Sequence, residues 1–205
     1  MSSQSHQTGN TGQKGTLHSV NIGKAKPLNM GGRRMMSGIA KASVQGELEV
    51  ARLGVEGDEQ VELSIHGGID KAVYAYPIEH YVFWQQQRKI QNVSLFDEEL
   101  PSGFVGENLT ISGLLENNVY IGDELHFPNC VLRVTAPREP CFKFNAVMGY
   151  SQASKDMAIA GNCGFYLAVD QVGTIASGQS FTLQPGRRNL SVVQALAAKW
   201  AKHAR

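Results

Sequence analysis

One cysteine of this sequence is flanked by cations and prolines, in the segment 137–143. Two prolines stiffen the backbone by fixing φ, and Cys141 lies where a helix is predicted to begin. Arg138, Lys143 and a helix N-terminus all stabilise a thiolate, the form that binds soft metals or attacks electrophiles. The alternative, a buried structural thiol, is the commonest role of a cysteine outside a disulfide. Cys130 fits that alternative well and Cys141 fits it poorly.

A second polar loop, 66–71, begins with His66 and two glycines. Gly67 and Gly68 allow the backbone to approach a ligand closely and to present its N–H groups. Lys71 adds a positive charge for an anion. A simple turn with a surface histidine is the alternative for this loop.

A third loop covers residues 103–109. Gly106 permits an unusual turn, and Glu107 supplies acceptor oxygens at the mouth of a predicted strand. The amide of Asn108 donates and accepts at once, which suits the edge of a heterocycle. A turn with capping side chains is the alternative here.

Two common kinds of cysteine site fit this pattern less well. A cysteine hydrolase needs a base beside the thiol, and His66 is a candidate, but Arg138, Lys143 and Lys71 favour a strongly anionic ligand. A zinc site needs several cysteine or histidine ligands. The three cysteines have no Cys-x-x-Cys spacing, and the histidines other than His66 are scattered.

The elements that position these loops are short. Apolar and polar residues alternate in the predicted first strand, 16–22. Further strands are predicted at 38–44, 46–51, 61–65, 72–76, 108–111, 124–127, 131–135, 164–172 and 180–183. Helices are predicted at 78–88, 141–148, 151–159 and 192–202, the last capped by Ser191.

Many short strands, 22 glycines and few helices predict a mainly β fold with attached helices and a closed or sandwich-like core. The βαβ repeat of a dinucleotide fold is missing. The polar residues 1–14 are predicted to be a disordered arm. The 205 residues carry a net charge of +1, which gives no general reason to expect nucleic acid or a membrane as partner. Three sparse cysteines and no visible secretion signal predict a cytoplasmic protein.

Four motifs occur in one order, at 66–72, 76–84, 103–109 and 137–143. Together they resemble the MOSC family, the domains like the C-terminal part of molybdenum-cofactor sulfurases. The resemblance covers roughly residues 17–183, and the segment 118–123 also matches the style of the family. The chain is similar to the branch of stand-alone bacterial proteins that protect against N-hydroxylated bases such as 6-hydroxylaminopurine.

This resemblance implies a closed β-barrel and a molybdopterin cofactor, with Cys141 as the molybdenum ligand. Recombinant protein can lack that cofactor. The resemblance also implies a set of residues that contact the phosphate, the pterin or the substrate: Gly67, Gly68, Lys71, Tyr76, Glu107, Asn108, Arg138 and Lys143. His66 and Asp70 are the expected catalytic partners of Cys141, because they would position the substrate or supply protons.

The implied activity is the reduction of N-hydroxylated compounds, with electrons from an external donor protein. The alternative is a carrier without turnover, in which Cys141 accepts sulfur as a persulfide. Pyridoxal phosphate suits the chain less well, because no lysine has an evident Schiff-base setting. The domain is predicted to span 15–187, followed at 188–205 by one helix where the branch often has three. The sequence leaves the oligomeric state open.

Overall fold

Short strands dominate the computed structural model, which describes residues 12–30, 32–61, 67–96 and 98–203. The strands are β1 Lys14–Ile22, β2 Lys26–Met30, β3 Arg33–Ser37, β4 Ala42–Val44, β5 Glu47–Ala51, β6 Gly54–Val55, β7 Val73–Pro77, β8 Leu109–Ser112, β9 Glu124–His126, β10 Val131–Pro137, β11 Phe165–Gln171, β12 Gly173–Ala176 and β13 Ser180–Gln184. The helices are α1 Tyr81–Ile90, α2 Phe142–Met148, α3 Ala153–Ala160 and α4 Val192–His203. Single 3-10 turns cover Ile69–Lys71 and Ile78–His80.

Seven strands close into a barrel in the order β13, β9, β10, β11, β7, β8 and β1, and β1 pairs again with β13. β7 and β8 are parallel, whereas the other neighbours in the barrel are antiparallel. β4 adds to β1 outside the closed ring. Closure pairs the strand edges within the ring, which stabilises a sheet made of such short strands. The predicted class, mainly β with attached helices around a closed barrel, is confirmed.

Strand β7 is buried along its whole length, because helices cover the barrel beside it. Trp84 on α1 is fully buried and donates its indole N–H to the hydroxyl of Tyr76, at 2.5 Å. The same indole contacts the ring of Phe144 on α2, with 5.0 Å between centroids. α2 begins directly after Cys141, so this packing joins the cysteine segment to the core.

The prediction missed four strands, β2, β3, β6 and β12. β2 and β3 form a hairpin that pairs with no other described strand. The hairpin side chains that are described are mostly exposed. A strand without a buried face has no alternation of apolar and polar residues, so the sequence pattern does not predict it. The strand predicted at 38–44 is shortened to Ala42–Val44, because residues 37–41 turn away and line a pocket.

Two further predictions fall partly outside the described residues. Residues 62–65 of the strand predicted at 61–65 are not described, nor are residues 1–11 of the predicted arm. Lys14, placed at the end of that arm, begins β1 and pairs with Thr182. The predicted cap of α4 is confirmed, because Gln194 donates its backbone N–H to Ser191 Oγ at 3.3 Å. Among the described helices, none is both long and apolar enough to cross a membrane.

Candidate functional site

A pocket forms where several loops meet beside strands β7, β8 and β11. Its volume is about 620 Å³, including the part open to solvent. Four cationic side chains and two carboxylates line it: Lys41, Lys71, Arg138, Lys143, Asp58 and Glu59. The excess of positive charge favours an anionic ligand.

Cys141 lies in the lining of this pocket and is half-buried. It precedes α2 in an extended conformation, with φ −133° and ψ 162°, as the flanking prolines predict. Cys130 and Cys163 are fully buried instead. Burial raises the pKa of Cys130 to about 11, so that residue is a thiol at neutral pH. The sequence distinction between Cys141 and Cys130 therefore agrees with their placement.

Arg138 is the cation next to that cysteine, and 4% of it is exposed. One guanidinium nitrogen donates to the carbonyl of Val105 at 3.0 Å. The guanidinium also lies over the rings of Tyr74 and Phe144, 5.0 and 5.2 Å from their centroids. Burial by itself would lower the pKa of Arg138. The electrostatic effects of Tyr74 and Cys141 outweigh burial and raise that pKa above its usual value. Arg138 is therefore a fixed buried cation, and no carboxylate of the described residues pairs with it.

Two lysines complete the positive wall. Lys143 lies in the first turn of α2, is buried, and lines the pocket. Lys71 ends the 3-10 turn before β7, and its ammonium nitrogen lies 5.5 Å from the ring centroid of Tyr166. Both lysines thus reach the pocket, as predicted from the sequence, and their use as cofactor ligands stays a prediction.

Glu107 was predicted to contact the cofactor or the substrate, but it does not line the pocket. Its carboxylate is fully buried and is absent from the pocket lining. It accepts hydrogen bonds from the Gly103 N–H at 2.7 Å, from the Thr110 hydroxyl at 2.8 Å and from the Tyr81 hydroxyl. Burial raises its pKa, although those donors lower it. The geometry makes Glu107 a clamp that closes the 103–107 turn, rather than a group that faces a ligand.

This turn holds Arg138 on one side and residues 37–41 on the other. Val105 accepts from Arg138, as described above. Gly106 has φ +90°, and a Cβ there would lie 2.7 Å from Cγ1 of Ile39. A Cβ on Gly103 would lie 2.9 Å from the carbonyl oxygen of Lys41. Glycine is therefore required at both positions by backbone conformation and by close packing.

Asn108 lines the pocket, but its amide is already engaged. Its oxygen accepts from the Tyr74 N–H at 3.1 Å. Its Nδ2 donates to the carbonyl of Asn21 at 3.3 Å and to Asp58 Oδ2 at 2.9 Å. An amide nitrogen has two donors, and both are used inside the protein. The predicted recognition of a heterocycle edge by Asn108 would have to break one of these bonds.

Lys41 and Asp58 form an ion pair in the pocket wall that sequence reasoning missed. Their side chains are 8% and 4% exposed. Asp58 Oδ1 also accepts from the Gly23 N–H at 2.8 Å. Each residue lies in a glycine-punctuated stretch that looked like an ordinary loop, and 17 positions separate them. No local spacing signal connects them.

The remaining predicted site residues are dispersed. The ring of Tyr76 is fully buried in the core and its hydroxyl donates to the carbonyl of Asn162 at 3.1 Å, so Tyr76 does not line the pocket. Asp70 is exposed and lies in a separate shallow depression with Arg133. His66 lies outside the described residues.

The paired glycines adjoin the pocket without lining it. Gly68 has φ +86° and its N–H donates to Oε1 of Gln60 at 3.2 Å, and Gln60 is itself a lining residue. Gly67 is half-buried. The roles predicted for Gly67 and Gly68 stay predictions.

The comparison with protein families gives one match, the MOSC domain over residues 62–182. The uncharacterized protein YflK of Bacillus subtilis (strain 168) is 35% identical over 175 residues, which cover 85% of this chain and 76% of that protein. YiiM of Escherichia coli (strain K12) is 36% identical over 164 residues, which cover 80% and 71%. A protein named reductase from Gibberella moniliformis (strain M3125 / FGSC 7600) is 33% identical over 177 residues, which cover 86% of this chain and 30% of that protein.

Solved structures agree with the sequence matches. A crystal structure described as an hypothetical protein has a TM-score of 0.73 and 32% identity, and the alignment covers 92% of this chain and 76% of that chain. The crystal structure of YiiM from Geobacillus stearothermophilus has a TM-score of 0.71 and 28% identity, and covers 93% and 86%. The family match spans more than half of the sequence, and relatives above 30% identity align along most of their own length. The chain therefore belongs to the MOSC domain family.

Proposed function

We propose that the pocket binds a molybdenum cofactor of the molybdopterin type and that the protein reduces N-hydroxylated compounds such as N-hydroxylated purine bases. The observation that carries this proposal is the half-buried thiol of Cys141 beside the buried cation Arg138 in one pocket. Membership of the MOSC domain family and a relative named reductase support it.

The charge of the pocket fits a phosphate-bearing cofactor. Arg138 is a buried guanidinium for which the described residues offer no carboxylate partner. Burying such a charge costs free energy unless a partner compensates it, and a guanidinium matches a phosphate through paired hydrogen bonds. Lys143 and Lys71 would add donors to the same phosphate or to pterin oxygens.

The thiol fits a soft metal. Cys141 is one soft ligand, which suits a metal that its cofactor presents with other ligands already bound. Among residues 12–30, 32–61, 67–96 and 98–203, no group of three or more histidine, cysteine, aspartate or glutamate side chains could hold a metal ion. When bound, the cofactor supplies the redox chemistry, and the chain supplies binding, orientation and proton delivery.

The reduction needs electrons from outside the chain. The sequence has no flavin, nicotinamide or iron–sulfur motif, so the proposal includes an external electron-donor protein. The three cysteines are thiols, which is typical of the cytoplasm, and we place the enzyme there.

The test is metal analysis combined with an assay on 6-hydroxylaminopurine. Protein made in a host that synthesises the cofactor is expected to contain molybdenum, and to release adenine with reduced methyl viologen as electron donor. Cys141→Ala should lose both the metal and the activity. Cys130→Ala is the matched control and should keep both, because Cys130 is a buried core thiol.

Two results would contradict the proposal. Full molybdenum content in Cys141→Ala would show that Cys141 is not the ligand. A persulfide trapped on Cys141 of wild-type protein, without any turnover of 6-hydroxylaminopurine, would favour the carrier function instead.

A further inference from the structure

The buried pair of Lys41 and Asp58 has no part in the function proposed above. Burying two charges costs more than their attraction returns unless the geometry is good. Buried charged groups in a pocket wall are therefore candidates for a functional role. The pair is electrically neutral, so it does not serve to attract the anionic cofactor.

Asp58 is held rigidly and in turn orients Lys41. Its Oδ1 accepts from the Gly23 N–H at 2.8 Å and from the ammonium of Lys41. Its Oδ2 accepts from Asn108 Nδ2 at 2.9 Å, and Asn108 is fixed by the Tyr74 N–H. The ammonium group of Lys41 has three N–H donors. One of them bonds to Asp58, which fixes the position of the ammonium group in the pocket wall.

The surroundings make Lys41 a better acid than an ordinary lysine. Burial lowers its pKa from the ordinary 10.5, whereas Asp58 and Glu107 raise it and Arg138 lowers it further. Other titratable groups around the same pocket are Glu59, Lys71, Tyr74, Cys141, Lys143 and Tyr166. A lysine with a lowered pKa donates a proton more readily, while Arg138 cannot donate one because arginine stays protonated.

We propose that Lys41, oriented by Asp58, is the proton donor to the departing hydroxyl oxygen of the N-hydroxylated substrate. This rests on the proposed function. The substrate takes up two electrons from the external donor protein, by way of the cofactor, and two protons. The N–O bond breaks, the oxygen takes one proton from Nζ of Lys41 and leaves as water. The second proton, from solvent, completes the amine, and solvent reprotonates Lys41.

The decisive variant is Lys41→Arg. Arginine keeps the positive charge next to Asp58, so the protein should fold and keep its molybdenum content. It cannot deliver a proton near neutral pH, so kcat for 6-hydroxylaminopurine should fall by about 10²- to 10⁴-fold, the usual contribution of a general acid. Lys24→Arg is the matched control, because Lys24 is also paired with a carboxylate, Glu59, but is 61% exposed.

The pH profile gives a second readout. Wild-type kcat should fall on the basic side as Lys41 loses its proton, below pH 10.5. The residual activity of Lys41→Arg should lack that basic limb. A full-rate Lys41→Arg enzyme with an unchanged basic limb would overturn the proposal.

A third readout needs no cofactor. Amine labelling of cofactor-free protein, followed by peptide mass spectrometry over a range of pH, reports the titration of each lysine. The pH midpoint of Lys41 labelling should lie below 10.5, and a midpoint at or above that value would contradict the proposal. Wild-type protein without molybdenum or turnover would instead contradict the proposed function and leave the labelling result to stand separately.

Discussion

Arg138 and Lys41 are both cations buried in the wall of one pocket, and they differ in their counter-charge. Lys41 has Asp58 as an ion-pair partner. Arg138 has a carbonyl and two aromatic rings, and the described residues supply it with no carboxylate. A cation that already has a carboxylate partner inside the protein depends on that partner, whereas a cation without a carboxylate can offer its N–H donors to an anionic ligand. The two buried cations of this pocket therefore differ in role: Lys41 is part of an ion pair within the protein, and Arg138 is available to an anionic ligand.

The largest effect is expected from breaking the ion pair of Lys41 and Asp58. Asp58→Ala leaves Lys41 buried without its partner and removes the acceptor of Gly23 and Asn108. The free energy of unfolding should fall by about 3–5 kcal/mol. Urea denaturation followed by the fluorescence of the buried Trp84 measures it. Replacing both partners, in Lys41→Met with Asp58→Leu, should recover much of the loss, and a double variant as unstable as Asp58→Ala would argue against charge burial as the cause.

Replacing Arg138, the cation without a carboxylate partner, should affect cofactor binding more clearly than folding. Arg138→Met removes a buried charge but keeps much of the packing against Tyr74 and Phe144. The Val105 carbonyl loses this donor, so the unfolding free energy of cofactor-free protein should fall by about 1–3 kcal/mol, less than in Asp58→Ala. Cofactor binding should weaken by about 1.5–3 kcal/mol, the usual contribution of a hydrogen bond to a charged group, which is roughly 10- to 150-fold.

Molybdenum content after gel filtration measures that second quantity. Arg133→Met is the matched control, because Arg133 is a partly exposed arginine already paired with Asp170. A large loss of stability in cofactor-free Arg138→Met, with normal molybdenum content, would remove the distinction between the two buried cations.

A smaller effect concerns the pH dependence of stability. Burial lowers the folded-state pKa of Lys41 below its ordinary 10.5. The unfolded chain therefore binds more protons between these two values, and stability rises with pH in that window. Because arginine stays charged there, the difference in unfolding free energy between wild type and Lys41→Arg isolates this contribution. That difference should grow in favour of wild type as pH approaches 10.5, and a flat difference would mean that the Lys41 pKa is not lowered in the fold.

The sequence predicted the Arg138 side of the comparison far better than the Lys41 side. Arg138, Cys141 and Lys143 lie within one short segment, so their types and spacing were visible together. Lys41 is placed by the packing of residues 37–41 against the 103–107 turn, and Asp58 by hydrogen bonds from Gly23 and Asn108. These contacts join distant parts of the chain, and no local pattern encodes them.

The opposite error occurred at Glu107 and Tyr76. Polar atoms of the motifs at 76–84 and 103–109 looked like ligand groups. In the structure, Glu107 clamps its own turn and Tyr76 bonds to Trp84 and Asn162 in the core. A polar residue within a motif can serve folding instead of binding, because a buried polar group needs hydrogen-bond partners. Periodicity found the barrel strands for a related reason, since burial on one face leaves an alternating pattern.

The smallest effect is expected from an ion pair at the surface near the cysteine segment. Lys199 on α4 bonds to Glu139, two residues before Cys141, and each side chain is 40% exposed. Water and salt screen such a pair, so Lys199→Ala should lower the unfolding free energy by no more than about 1 kcal/mol, and by less in 1 M salt. Molybdenum content should not change, because the Pro137–Pro140 backbone and the Trp84–Phe144 contact hold the segment without this pair. A loss of molybdenum as large as in Arg138→Met would show that α4 positions Cys141, and that exposure is a poor guide to which charges around this pocket matter.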